Sequence, residues 1–447
     1  MPHDDRSGAP IGAFARLATP RLERRGHLGA LLGLTAVVVG WRGLHEPTHE
    51  QAAIGVALLL VARAVALGRS LRAPLLACSL VVLVAAYAAS SSNHLVLEWG
   101  AIAAAGGVAG LPRRPPAPGG AADRRHVWAL VDSTAGDPLA PFAMRADKSY
   151  VFSEDRRAAV SYRVRVGTAI AAGDPVGDGG SYAEAVDTFV AHAEEQGWRV
   201  AVLGASDRSL PMWHKHGLRA IPIGRDVTVD VEDFALSGRR FRNLRQAVQR
   251  TRNAGVTTDI VGERDVAPST RAELEAVMTA TGKTATRGFA MILDQPLSGA
   301  HPGTFIALAR DRHGRVVAFQ RYATADGGRE LSLDVPWRLP GAPNGVDERL
   351  IVDVVEWGSA RGARSLSLAF AAFPELFELQ RRNLAQQAAY RAVHLLDRFI
   401  RLESLYRFVR KFHALRSQRY VALRPLEVVW VASAALLLEF STGRRRH

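Results

Sequence analysis

The chain has 447 residues, with 57 lysines and arginines against 43 acidic residues, which gives a net charge of +14 at pH 7. This length is enough for two or three domains, and the positive charge favours an anionic partner, either nucleic acid or an acidic membrane surface. The single cysteine, Cys78, lies in an apolar run, so neither a disulfide framework nor a cysteine zinc site is available. We expect no metal at the closest histidine pair, His214 and His216, because both precede a glycine at a helix end, where their rings are solvated.

The N-terminal region, residues 1–111, is rich in Ala, Leu, Val and Gly. It contains four apolar runs, at 28–44, 52–68, 74–90 and 97–111. Each run is close to the minimum length that crosses a hydrocarbon core of about 30 Å. Arginines precede the first run, separate the second from the third and follow the fourth, which places both ends of the region in the cytoplasm. The sequence therefore predicts an all-α region of about four transmembrane helices in the plasma membrane. A buried helical bundle is the alternative.

The proline- and glycine-rich stretch 112–125 predicts a linker to a cytoplasmic part. Beyond the linker, strand and helix patterns alternate, which is typical of an α/β fold. Two successive mixed α/β units, 126–233 and 234–425, predict a tandem repeat of one fold.

A helix predicted over 238–254 carries the most informative charge pattern in the chain. Its core-facing stripe is Leu244, Val248 and Thr251. The arginines that recur on an adjacent face are Arg242, Arg245 and Arg252. Solvated helices usually mix both charge signs, so this acid-free arginine face predicts binding of phosphates. A merely solvated basic helix is the alternative.

A second basic cluster lies near the C-terminus, interleaved with aromatic residues. It comprises Arg407, Arg410, Lys411, Arg416 and Arg419, with Tyr406, Phe408, Phe412 and Tyr420 between them. Such alternation suits the stacking of a terminal base or the binding of an anionic lipid headgroup.

The apolar run 426–440, before a basic tail that ends at 447, is too short to be a confident span. It predicts a C-terminal helix that either packs on the domain or lies at the membrane interface.

The stretch SLDVPWRLPGAPNG, residues 332–345, places a carboxylate within an apolar strand. Asp334 is followed by Arg338, then by a turn that contains Asn344 and Gly345, and then by an acidic helix start at Glu348. A carboxylate and a cation at this spacing are the residue types that hydroxyl activation and oxyanion stabilisation require.

Six collinear stretches resemble the catalytic domain of the aminoacyl-phosphatidylglycerol synthases, the lysyl- and alanyl-phosphatidylglycerol transferases. They are AGDPVGD (172–178), FALSGRRFRNLRQAVQRTRNAG (234–255), KTATRGF (283–289), VVAFQRY (316–322), SLDVPWRLPGAPNG (332–345) and SLYRFVRKFHALRSQRYV (404–421). In order, they extend over nearly all of residues 145–425.

The resemblance implies tandem acetyltransferase-like (GNAT) repeats behind the membrane region. It also implies an enzyme that moves an aminoacyl group from aminoacyl-tRNA to a hydroxyl of phosphatidylglycerol and so changes the charge of membrane lipid. The donor is an activated ester, so no cofactor is expected, and no metal. The implied partners are aminoacyl-tRNA, phosphatidylglycerol or another polar lipid, and the membrane itself.

The resemblance assigns roles to individual residues. Asp334 orients or deprotonates the acceptor hydroxyl, or holds the amino group of the substrate, and Arg338 and Glu348 complete the catalytic set. The residues expected to bind lipid phosphate or tRNA are Asn344, Gly345, Arg407, Lys411, Arg419, Tyr420, Arg242, Arg245 and Arg252.

One departure from the family pattern follows Asp334. The family has Leu-Met-Arg there, whereas this chain has Val335, Pro336 and Trp337, with Arg338 one place later. Either Arg338 takes over the role of the family arginine, or Trp337 reshapes the pocket.

The open alternatives are an aminoacyltransferase of the same fold with another lipid or a cell-wall acceptor, and a catalytically silent membrane protein that binds lipid or RNA. The sequence names neither the transferred amino acid nor the oligomeric state.

Overall fold

The computed structural model describes residues 115–282, 292–372 and 408–440. The transmembrane helices predicted in 1–111, the KTATRGF stretch and Arg407 lie outside these ranges. Within the described ranges, no helix combines the length and the apolarity needed to cross a membrane. The same residues contain no group of three or more histidines, cysteines and acids arranged to hold a metal ion.

The chain divides into two compact units. Among the described residues, one contains those from Pro115 to Val190 and from Val200 onward, and Ala191–Arg199 is assigned to the other. The candidate site residues described below all belong to the first.

The described ranges contain seven α-helices, among them the helix predicted over 238–254 and the predicted C-terminal helix. They are α1 Ala121–Asp132, α2 Tyr182–Glu195, α3 Leu210–His214, α4 Arg242–Asn253, α5 Pro268–Thr281, α6 Val346–Ser359 and α7 Val428–Phe440. Helix α1 begins inside the predicted linker of 112–125. Of the linker residues that the structure describes, 115–120 lack regular structure and 121–125 are helical.

Within the described ranges, twelve strands form one mixed sheet. They are β1 Ser149–Phe152, β2 Ala158–Arg165, β3 Thr168–Ala172, β4 Val176–Gly177, β5 Arg199–Ser206, β6 Arg219–Asp230, β7 Thr257–Gly262, β8 Thr304–Arg310, β9 Val316–Ala325, β10 Glu330–Arg338, β11 Ser365–Ala372 and β12 Leu415–Leu423. The order across the sheet is β1-β2-β3-β5-β12-β6-β11-β10-β9-β8-β7, with β4 paired to β2. Strands β10 and β11 are parallel, because α6 provides the crossover that a parallel pair requires. This architecture confirms the predicted α/β class.

The centre of the sheet joins the two predicted repeats. Strand β12 lies between β5 and β6, and β6 lies between β12 and β11, so the sheet is continuous across the boundary at residue 233. Each side contains a run of the same order, namely three consecutive strands, a helix and a fourth strand. The run is β1, β2, β3, α2 and β5 on one side, with the short β4 before α2, and β8, β9, β10, α6 and β11 on the other. A repeated unit produces such an order, and the division at residue 233 stays a prediction.

Helices cover both faces of the half of the sheet that runs from β6 through β11, β10, β9 and β8 to β7. On one face, α4 and α6 pack through Leu244, Val248 and Leu350 against strand residues such as Tyr322 and Leu333. On the other face, α5 packs through Leu274 and Val277 against Ile306, Phe319 and Trp337. The predicted stripe of α4 is confirmed, since Leu244, Val248 and Thr251 are all buried.

Candidate functional site

A β-bulge in β10 determines which side chains reach the candidate site. The register with β9 pairs Leu333 with Tyr322 but Val335 with Arg321, so Asp334 is the extra residue. An extra residue reverses the alternation of side chains between the two faces of a sheet. Leu333 accordingly packs on the α4–α6 face, whereas Trp337 packs on the α5 face.

The bulge explains the departure that follows Asp334 in the sequence. Trp337 is fully buried and stacks on Phe319, with ring centroids 4.6 Å apart. Its neighbour Arg338 alternates to the other face and lies against the start of α6. Of the two alternatives, the described residues favour a role for Arg338, because the Trp337 ring is a core side chain beneath α5 and does not line the cavity that Arg338 lines.

The carboxylate of Asp334 lies in a buried ion network. Its Oδ2 is 3.1 Å from Nη1 of Arg321, whose Nε donates a 2.9 Å hydrogen bond to Glu263. Its Oδ1 accepts a hydrogen bond from the backbone N–H of Leu293. Burial raises the pKa of the Asp334 carboxyl to about 6, although Arg321 opposes the shift. The sequence missed Arg321 and Glu263 as partners because they come from β9 and from a short turn far away in the chain.

The same network holds a short backbone segment, residues 292–294, from two sides. Arg321 donates to the carbonyl of Asp294, and Arg145 donates to the carbonyl of Ile292. The Asp294 carboxylate also accepts from the ring of His301 at 2.8 Å. Asp334 thus connects the centre of β10 to this segment, in addition to pairing with Arg321.

Most of the residues predicted around the Asn-Gly turn meet at one cavity, referred to here as the α6 cavity. Its volume is about 470 Å³, which is within the range of small-molecule sites. Its lining comprises Arg250, Arg338, Asn344, Gly345, Asp347, Glu348, Phe408 and Lys411. Five predicted site residues are in this set, and Asp334 is not. Arg250 was missed, although it lies in the acid-free arginine run of α4.

The α6 cavity is positively charged and lies at a helix N-terminus. Lys411 Nζ is 2.7 Å from Glu348 Oε1, and Arg338 Nη1 is 3.3 Å from Asp347 Oδ2. Arg250 is a third cation in the lining, so three cations surround the cavity together with two acids. The start of α6 contributes the positive end of its helix dipole. This arrangement suits a ligand with a single negative charge, such as a phosphodiester.

Gly345 sets the distance between the two helices that border the cavity. It has a φ of 98° at the N-cap of α6. A Cβ built there would lie 2.7 Å from the carbonyl oxygen of Ala247 in α4. Glycine is therefore required for both the backbone conformation and the close approach of α4.

Arg419 lies at a different place. It is 1% exposed, and it pairs with Asp226 at 2.7 Å and with Asp137 at 2.8 Å. Burial raises the pKa of Asp226 to about 6. Arg419 lines a second cavity of about 460 Å³ between β6, β11 and β12, together with Asp226, Arg208, Arg364 and others. Arg419 and Lys411, which are both predicted to bind lipid phosphate or tRNA, therefore line different cavities, and Arg419 pairs with two buried carboxylates.

The remaining predicted residues lie outside the α6 cavity. Tyr420 is half-buried, and a hydrogen bond with Asp207 raises the pKa of its phenol. Arg245 is half-buried and donates to the carbonyl of Leu236. Arg242 and Arg252 are exposed on α4, where they remain available to a large anionic partner.

Most of the chain resembles a known protein family. Residues 128–423 match the family model described as phosphatidylglycerol lysyltransferase, C-terminal. An MprF-like domain protein of Mycobacterium tuberculosis is 49% identical over 332 residues, which cover 73% of this chain and 68% of that protein. The lysylphosphatidylglycerol biosynthesis bifunctional protein LysX of Mycobacterium avium is 34% identical over 322 residues. That match covers 70% of this chain but only 27% of LysX, so this chain spans about a quarter of the LysX length.

Two solved structures share the fold. One is the C-terminal domain assigned to a lysylphosphatidylglycerol synthetase of Agrobacterium fabrum, with a TM-score of 0.62, 25% identity, and coverage of 73% of this chain and 99% of that one. The other is L-PGS from Bacillus licheniformis, with a TM-score of 0.59, 20% identity, and coverage of 74% and 100%.

Proposed function

The chain belongs to the phosphatidylglycerol lysyltransferase family, and on this premise we propose that it transfers an aminoacyl group from aminoacyl-tRNA to a hydroxyl of phosphatidylglycerol. The observation that carries the proposal is the α6 cavity, where Arg250, Arg338 and Lys411 surround a space of about 470 Å³. The tandem acetyltransferase-like organisation belongs to the same proposal and is supported by the matching element order on the two sides of the sheet.

The α6 cavity receives the headgroup of the acceptor lipid in this proposal. Phosphatidylglycerol has one negative charge on its phosphodiester, and the lining has one more cation than it has acids. Charge-assisted hydrogen bonds from arginine and lysine are the strongest neutralising contacts available to such a group. Asn344 offers an amide that can hydrogen-bond to the glycerol hydroxyls.

The transfer itself balances without an oxidant or reductant. The lipid hydroxyl oxygen attacks the ester carbonyl of the aminoacyl-tRNA, the bond from that carbonyl to the ribose oxygen breaks, and the hydroxyl proton ends on the ribose oxygen. In this proposal Glu348 accepts the proton of the attacking hydroxyl, and Lys411 and Arg338 stabilise negative charge; their common position in the cavity lining supports these roles. Glu348 is 7% exposed, so its carboxylate acts from a largely water-free position.

Asp334 has a positioning role in this proposal. Its carboxylate already accepts from Leu293 and pairs with Arg321. These contacts connect β10, which ends at Arg338, to the segment 292–294. A change at Asp334 therefore acts on the site through the backbone that carries Arg338.

The donor and the location complete the proposal. The exposed Arg242 and Arg252 on α4 provide contacts for the phosphates of a charged tRNA. The enzyme works at the plasma membrane, where its lipid acceptor is found, with this domain in the cytoplasm together with the tRNA. The amino acid is lysine or alanine, the two that the resemblance implies.

The test is a reconstituted transfer reaction. The full chain in vesicles that contain phosphatidylglycerol is mixed with tRNA charged with labelled lysine or labelled alanine, and the lipid fraction is analysed by mass spectrometry. We expect a product with the mass of phosphatidylglycerol plus one aminoacyl residue. A labelled product on another lipid would keep the transfer and replace the acceptor. Folded protein that labels no lipid from either tRNA would refute the proposal.

A further inference from the structure

The C-terminal helix α7 is apolar around most of its circumference. One side packs on the sheet, where Val431, Ala434 and Leu438 join a cluster with Ile170 and Leu423. The other side is exposed. Six exposed apolar residues belong to α7 or to the segment that leads into it. With the exposed fraction of each residue in parentheses, they are Leu426 (98%), Val428 (42%), Val429 (74%), Trp430 (39%), Leu436 (45%) and Leu437 (51%). A surface helix in water normally has polar residues on this side, so a further apolar environment is indicated.

The apolar surface extends from α7 onto the neighbouring strand. Val421 of β12 packs in the α7 cluster and pairs with Ile221 of β6. Directly paired residues project on the same face of a sheet. Ile221 is 44% exposed, so it enlarges the same surface.

Positive charge borders this surface. Leu423 packs in the α7 cluster and pairs with Arg219, which places the exposed Arg219 on the same face. Three further arginines, Arg444, Arg445 and Arg446, follow the helix in the sequence. An apolar surface with a border of cations matches an anionic bilayer, whose acyl chains lie beneath negative headgroups.

We propose that α7 lies in the interfacial region of an anionic bilayer, with Val429, Leu436 and Leu437 immersed and Arg219 at the headgroups. Thirteen residues of α-helix are about 20 Å long, which is shorter than the hydrocarbon core, so the helix lies along the surface. The match to the family model ends at residue 423, before α7 begins. The proposal is independent of the proposed catalytic activity, because it concerns a different surface.

The test uses depth-dependent quenching in the full chain. Cys78 is changed to Ser, and a single cysteine is introduced by Leu437→Cys and labelled with an environment-sensitive NBD dye. The matched control is His313→Cys, an exposed position in the β8–β9 turn. The protein is reconstituted in vesicles of phosphatidylcholine and phosphatidylglycerol that contain a spin-labelled lipid. We expect blue-shifted emission and loss of most of the fluorescence at 437, with neither change at 313.

The other outcomes overturn the proposal and identify what covers the helix. Unquenched dye at 437 together with cross-linking between copies would show that a second molecule packs on α7. Unquenched, blue-shifted dye without cross-linking would show that another part of the same chain covers it. Equal quenching at 437 and 313 would show non-specific contact with lipid. A second variant, Arg219→Glu, should reduce quenching at 437 when phosphatidylglycerol is present and leave it unchanged in pure phosphatidylcholine.

Discussion

Glu348 and Lys411 are 63 residues apart in the sequence, and their side chains meet at 2.7 Å on the wall of the α6 cavity. The pair joins the first turn of α6 to the short 3₁₀ helix Arg410–Phe412. Lys411 remains 43% exposed, so it can contact a ligand while it pairs with Glu348. This geometry makes Lys411 the most direct probe of the cavity.

Lys411→Ala should lower kcat/KM for phosphatidylglycerol. A hydrogen bond to a charged group contributes about 1.5–3 kcal/mol, which corresponds to a loss of roughly ten- to hundredfold. The measurement is the initial rate of lipid aminoacylation against lipid concentration. Arg361→Ala is the control, because Arg361 is exposed at the far end of α6 and outside the cavity. An unchanged kcat/KM in Lys411→Ala, with the same unfolding temperature, would remove the cavity from the acceptor site.

Arg419→Met should destabilise the protein rather than act on lipid binding alone. It leaves the buried carboxylates of Asp137 and Asp226 without their cation, a change that typically costs about 3–5 kcal/mol. The measurement is the unfolding temperature of the detergent-solubilised chain, with Lys411→Met as the partly exposed comparison. If Arg419→Met unfolds at the wild-type temperature but no longer transfers, then Arg419 contacts a substrate.

Gly345→Ala should disturb the α6 cavity more than Gly341→Ala. Both glycines have positive φ, 98° and 83°, so both changes incur backbone strain of about 1–2 kcal/mol. Only at Gly345 does the new Cβ approach another backbone, since the space around Gly341 is open within 4 Å. The unfolding temperature and the transfer rate of both variants are measured. Equal effects of the two changes would mean that α4 moves freely away from α6.

Asp334→Asn should make stability less dependent on pH. The carboxyl has a pKa of about 6 in the folded chain and an ordinary value of 3.8. Between these values the folded state binds more protons than the unfolded state, so this group lowers the free energy of unfolding as the pH rises from about 4 to about 6. A shift of two units corresponds to an upper bound of about 3 kcal/mol. The side-chain amide of the variant does not titrate, so this share of the pH dependence should disappear.

The measurement for Asp334→Asn is the unfolding temperature at several pH values from 4 to 7. The exposed Asp233→Asn is the control for loss of one carboxylate. Identical pH profiles for wild type and Asp334→Asn would contradict the buried position of the Asp334 carboxylate.

Trp337→Leu should reduce stability and leave the choice of amino acid and lipid unchanged. Trp337 is fully buried against Phe319, and the loss of a large core side chain leaves a cavity that costs roughly 2–5 kcal/mol. Unfolding temperature is compared with the ratio of lysine to alanine transferred. A changed ratio with unchanged stability would place the ring in the substrate pocket after all.

The sequence by itself determined the elements and much of the α6 cavity. The core stripe of α4, the turn at Asn344 and Gly345, the start of α6 and the apolar C-terminal helix all depend on residue spacing over one or two turns. Local patterns report such features directly, because backbone conformation and amphipathic faces are set by near neighbours. Four of the predicted site residues meet at the α6 cavity for this reason, because they belong to one strand, turn and helix start. The fifth, Lys411, is brought there by the tertiary fold.

Only the tertiary structure decided which charges are buried and which face the ligand. Arg419 lies among basic residues in the sequence, yet its partners Asp137 and Asp226 come from 282 and 193 residues away. The bulge at Asp334 sends Trp337 into the core and Arg338 toward the cavity, because its position depends on how β10 pairs with β9. Burial and ion pairing are properties of contacts between distant segments, and a one-residue shift in strand pairing exchanges the two faces.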